Sequence, residues 1–109
     1  MKRYTLALDL KDDEQLIKEY EEYHKNIWAE IKESILQSGI ADMQIFRTGN
    51  RLFMLMEVSE DFSFERKSEA DAANPKVQQW ESLMWKFQQP LPWAKDGQKW
   101  VLMEKIFEL

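Results

Sequence analysis

"ADMQIFRTGNRLFMLMEVS", Ala41 to Ser59, holds two alternating runs on either side of Thr48-Gly49-Asn50. Met43, Ile45 and Arg47 share one face of the first run, and Leu52, Met54, Met56 and Val58 share one face of the second. Successive strand side chains point to opposite faces, and glycine enters a tight turn without steric cost. Period-two patterning around a Gly-Asn turn therefore predicts a β-hairpin with one buried face.

The segments on both sides build a fold around that hairpin. Upstream, Tyr4, Leu6 and Leu8 alternate with Thr5, Ala7 and Asp9, which predicts a strand over residues 2–10. "KDDE" follows as a helix start with Asp12 or Asp13 as N-cap, and one long helix is expected to run to about Ser38 and stop at Gly39. Downstream, "EDFSFERKSEADAA" reads as a short polar helix. "NPKVQQWESLMWKF" reads as a second helix, with Asn74 as N-cap, Pro75 at the first helical position and a stripe of Val77, Trp80, Met84 and Phe87. "QQPLPWAKDGQ" is a loop, and "KWVLMEKIFEL" a last strand. The order is β-α-β-β-α-β, with the second crossover helix in two pieces. That is the ferredoxin-like α+β arrangement, an antiparallel sheet with helices on one face. The other sheet face is bare in a monomer, so the Met, Phe and Trp of the strands call for a cover. A second copy is the usual one, giving a homodimer, a dimeric α+β barrel. Residues 1–109 read as one domain, without linker or repeat.

Composition narrows the partners. The chain is 44% hydrophobic and 32% charged, a globular balance, with a net charge of −5. An acidic chain without a basic stripe repels phosphate backbones, so nucleic acid is not expected as a partner. The absence of cysteine removes disulfides and thiolate chemistry, and a single histidine argues against a transition-metal site. The opening apolar run is interrupted at Asp9, too early for a signal segment, and no stretch approaches a membrane span. No membrane partner is expected, and the expected location is cytoplasmic. Five Trp and six Phe are a large apolar load for so short a chain, and some of them should line a pocket or an interface.

The single histidine is His24, in "EEYHKNIWAEI", Glu21 to Ile31. At about 100° per residue, Ile17, Tyr20, His24, Ile27, Ile31 and Ile35 fall on one stripe with Trp28 beside it. A neutral core imidazole with both nitrogens satisfied is the plain reading of that position. Tyr20 lies one turn away on the same face, and burying a phenol and an imidazole together is costly unless each polar atom finds a partner. An imidazole, a phenol and the Trp28 indole also suit a sugar, whose hydroxyls take polar groups while a flat ring stacks on its C–H face. Trp80 lies on the buried stripe of its helix. Trp93 sits on the proline-stiffened loop, either a site residue or a cap on the sheet edge. Glu57 and Glu104 read as solvent-facing by alternation, and Arg47 and Arg51 as solvated residues flanking the hairpin tip.

The ordered pattern Tyr20, His24, Ile27, Trp28 and Glu30 in "YEEYHKNIWAEI" resembles the L-rhamnose mutarotase family. The likeness continues through Gly39, the hairpin, "VQQW" ending at Trp80, and the closing "LMEKIFEL", and so covers essentially the whole chain. It implies a dimer of ferredoxin-like subunits that interconverts the α and β anomers of a deoxy-sugar pyranose without a cofactor. By resemblance, His24 is the main acid/base group, Tyr20 assists, and Trp80 shapes the sugar pocket. The chain departs from the pattern at Met43, where a sugar-touching Tyr is common, and at Trp80-Glu81, where the family has paired Trp. Trp93 would then replace a lost contact. L-rhamnose is the expected sugar, with L-fucose as the alternative. Two other readings stand beside this one: a haem-handling oxidative enzyme with His24 as axial ligand, and a plain binding module whose aromatics serve the dimer.

Overall fold

The chain was described from a computed structural model, which covers all 109 residues. Strand β1 spans Lys2–Leu10, β2 Ile40–Thr48 and β3 Arg51–Val58. The sheet is antiparallel in the order β2-β3-β1-β4, where β4 is Gln88–Gln89, and β5, Val101–Leu102, also pairs with β1. The hairpin closes at Thr48↔Arg51 around Gly49 and Asn50. Gly49 takes φ +56°, the left-handed conformation that a side chain would resist, and so occupies the first turn position of a primed-type hairpin. Asn50 ties the tip to the next strand: its side-chain amide donates to the Leu10 carbonyl at 3.0 Å and its carbonyl accepts from Leu10 N–H at 2.7 Å.

The period-two reading holds residue by residue in β3, where Leu52, Met54, Met56 and Val58 are buried and the intervening residues are not. Leu6, Leu8 and Leu10 of β1 complete that inner face. Helices cover it. Helix α1 is Glu14–Lys25, capped by Asp13 accepting from Leu16 N–H; α2 is Ala29–Gln37. Helix α3 is Phe64–Ala72, capped by Ser63, and α4 is Pro75–Trp85, capped by Asn74 with Pro75 in its first turn. One core group joins Leu10, Tyr20, Ile31 and Leu52 to Val77, Trp80, Met84 and Phe87. A second joins Leu6, Ile40, Met54, Met56 and Val58.

Three expectations are corrected. The long first helix is two, because Asn26 leaves helical geometry (φ −132°, ψ 60°) and Trp28 starts α2 as an extended cap. The apolar stripe crosses the break unchanged, with Ile31 buried and Ile27 and Ile35 packed against the core. The last strand is short. Only Val101 and Leu102 pair, Met103 N–H adds one bond to the Thr5 carbonyl, and residues 104–109 leave the sheet. Conversely, Gln88–Gln89, read as loop, pair with Leu10 and Asp9 as β4. The hairpin arginines are exposed, as read, and each also holds an acid. Arg51 holds buried Asp9 through two hydrogen bonds of 2.8 and 3.2 Å, and Arg47 pairs with Glu21 of α1.

Candidate active site

A cavity of about 320 Å³ lies between the inner sheet face and the helices, within the size range of small-molecule sites. Its walls are mostly apolar: Met43, Met54 and Met56 from the sheet, Ile27 and Ile31 from the start of α2, and Trp80 and Met84 from α4. The polar groups on it are few: Tyr20, His24, Gln88, Ser34, Glu81 and the ion pair of Lys67 and Asp71.

The break after Lys25 places His24 in the last turn of α1, on the cavity wall. Its imidazole is sandwiched, with ring centroids 4.2 Å from Tyr20 and 5.6 Å from Trp80. His24 Nδ1 lies 2.9 Å from the Tyr20 carbonyl oxygen. A carbonyl can only accept, so Nδ1 carries the hydrogen and donates it. In the neutral ring this leaves Nε2 with a free lone pair. Burial holds the His24 pKa below the ordinary imidazole value, with the carbonyl bond pulling weakly the other way. The ring is therefore neutral at pH 7, a base with one defined basic nitrogen.

Tyr20 is 3% exposed. Burial pushes its hydroxyl up to about 12, opposed by the side-chain amide of Gln88. It stays a protonated donor across the physiological range. Two adjacent titratable groups are thus driven in opposite directions, one kept as a base and one as an acid, the arrangement acid/base sites use.

The structure brings Tyr20, His24, Trp80 and Met43 to one cavity. Trp28 is held behind Trp80, ring centroids 5.1 Å apart in an edge-on contact, and does not line the cavity. Trp93 is 64% exposed under the Arg51 guanidinium, 5.5 Å from its ring centroid, and is also outside it. Gln88, Lys67 and Asp71 were missed by sequence reasoning. Lys67 and Asp71 carried a readable signal, since their i,i+4 spacing on an amphipathic helix gives the 2.7 Å ion pair seen. Gln88 carried none.

Fold and cavity together define a class: ferredoxin-like α+β proteins that take a small molecule between sheet and helices. Residues 3–109 match the model of the L-rhamnose mutarotase family. The L-fucose mutarotase of Xanthomonas campestris pv. campestris is 46% identical over 111 residues, spanning 100% of this chain and 89% of that protein. Among solved structures, the L-rhamnose mutarotase of Formosa agariphila is similar with a TM-score of 0.74 at 24% identity, covering 100% of this chain and 99% of the other. The tetracenomycin F2 cyclase of Streptomyces glaucescens is similar at TM-score 0.60 and 15% identity, again over 100% and 99% of the two chains. At those identities the two structures speak for the fold alone. The chain belongs to the L-rhamnose mutarotase family. It is an isomerase that acts on the anomers of a sugar.

Proposed function

We propose that this mutarotase works by acid/base ring opening with His24 as base and Tyr20 as acid, on a 6-deoxy-L-hexose. His24 Nε2 takes the proton of the anomeric hydroxyl. Tyr20 gives its proton to the ring oxygen as the bond from C1 to that oxygen breaks, which yields the open aldehyde. Rotation about C1–C2 presents the other carbonyl face, and reversal of both transfers closes the opposite anomer. Protons balance over the cycle, and no group outside the chain takes part. Positioned acids and bases each contribute on the order of 10²–10⁴-fold.

The observation that carries this reading is the 2.9 Å bond from His24 Nδ1 to the Tyr20 carbonyl, which selects Nε2 as the basic nitrogen and stacks the phenol against it. Trp80 offers a rigid aromatic wall to the pyranose. Met43 supplies an apolar contact where the sugar's methyl would lie. Trp28 supports Trp80 from behind, and Trp93 lies too far out to touch a sugar in the cavity.

L-fucose ranks ahead of L-rhamnose, because the relative sharing 46% of its residues with this chain carries that activity in its name. The single domain acts as a homodimer. Phe46, 53% exposed, pairs with Phe53 on the sheet face turned away from the helices, and Ile106 and Phe107 of the tail are 92% and 76% exposed. Burying a side chain of that size contributes about 1.5–3 kcal/mol, so a second copy over this face gains several such terms. No helix is long and apolar enough to cross a membrane, and a cytoplasmic place fits the reaction. The sugar is tested by measuring kcat/KM for anomer exchange of L-fucose and L-rhamnose side by side. A higher value for L-fucose is expected, and a higher value for L-rhamnose reverses the ranking.

A further inference from the structure

Gln88 is one of the few polar residues of the cavity wall and has no role in the chemistry above. It is 4% exposed, held in β4 by pairing with Leu10, and it lines the cavity. Its Oε1 is the one buried side-chain oxygen or nitrogen in the chain without a hydrogen-bond partner. A buried acceptor left alone carries its full desolvation penalty, and such groups in native structures call for an explanation. The Gln88 side chain also draws the Tyr20 pKa down against the rise from burial. The amide therefore leaves a buried acceptor at the cavity wall with no partner from the protein itself.

Resting on the reading of this cavity as the sugar site, we propose that Gln88 is a specificity residue: its Oε1 accepts a hydrogen bond from one particular pyranose hydroxyl, the one lying beside Tyr20. The cavity wall is otherwise mostly apolar, with Met54, Met56, Met84 and Trp80 among its residues. A sugar lacking that hydroxyl leaves Oε1 buried and alone, as it is in the free protein, and gains nothing from it. Sites that hydrogen-bond a substrate hydroxyl discriminate strongly against analogues without it.

The test is a binding cycle read by tryptophan fluorescence, since Trp80 and Trp100 both line the cavity. The probes are L-fucose, L-rhamnose and L-fucose analogues lacking one hydroxyl each at C1, C2, C3 or C4. The proteins are wild type and Gln88→Met, which keeps the volume and removes the acceptor. Where Gln88→Met does not fold, Gln88→Asn withdraws the amide by one methylene and serves instead. The variant is expected to bind L-fucose on the order of 10–100-fold more weakly. One analogue, already weak for wild type, should bind both proteins alike, and that analogue names the hydroxyl. The urea midpoint should stay level or rise, because a lone buried acceptor has been removed; a purely structural glutamine would lower it. Equal weakening for every probe, or unchanged affinity, overturns the assignment. Wild type that binds none of the probes removes the sugar reading and this inference together. Wild type that binds, shows the Gln88 coupling and exchanges no anomers removes the catalytic roles of His24 and Tyr20 and leaves Gln88 standing.

Discussion

At the scale of single residues, the proposed chemistry depends on two protonation states that burial sets in opposite directions. His24 must be neutral to act as a base. Its pKa lies below the ordinary imidazole value through burial, so kcat/KM should hold as pH falls past 6.5 and decline only at lower pH. A pH–rate profile with its acid limb centred at 6.5 or above would contradict that burial. The same shift bears on stability. A folded-state pKa lowered below the unfolded 6.5 contributes stability that is present above pH 6.5 and is lost as pH falls through the folded value. Tyr20 behaves in mirror image. Raised from 10.0 to about 12, it contributes stability that is present below pH 10 and lost as pH rises toward 12. Tyr20→Phe keeps the ring against His24 and Phe87 and removes only the hydroxyl, so kcat should fall on the order of 100-fold while urea stability changes little. A Phe variant as active as wild type would assign the acid to another group. That Tyr20 and His24 share one buried face was legible from their four-residue spacing on an apolar stripe. The burial of Gln88 was not, because a polar residue just past a helix is buried only by the strand pairing that follows.

At the scale of elements, the hairpin was legible because its period and its turn agree, each fixing the same register. The break between α1 and α2 was not. Ile27, Ile31 and Ile35 keep helical spacing across it, so the pattern of burial continues while the backbone does not. That break bears on the site, since it ends α1 one residue after His24, which lines the cavity. Gly39, between α2 and β2, was read as a helix stop, and the structure shows a stricter demand. It holds φ +96°, and a Cβ there would stand 2.8 Å from Ser59 Oγ. Gly39→Ala should therefore destabilise by about 1–3 kcal/mol in urea unfolding. Loss of less than a few tenths would show that the turn relaxes. The final strand was overread because "KWVLMEKIFEL" is apolar enough for a sheet, yet only Val101–Leu102 find a partner within one chain.

At the scale of the whole molecule, one sheet face is roofed by helices and holds the cavity, and the opposite face carries Phe46 and Phe53 together. The tail beyond Met103 ends in exposed Ile106, Phe107 and Leu109. Single exposed apolar residues are ordinary, but a sheet face and a tail of them in a chain of net charge −5 point to a partner surface. Analytical ultracentrifugation should give a mass twice the 13.2 kDa of one chain, and Phe46→Glu should shift it toward one. A wild-type protein that sediments as a monomer at tens of micromolar would remove the dimer. The βαββαβ order itself was legible from the sequence because each element's period was intact.

The most direct measurement is saturation-transfer NMR on equilibrated L-fucose with wild type and His24→Ala. Saturating the α anomeric proton should deplete the β signal with wild type and leave it at the buffer level with the variant, provided both give the same urea midpoint within about 1 kcal/mol. Transfer that persists undiminished in a folded His24→Ala protein would place the base elsewhere and contradict the mechanism proposed for this cavity.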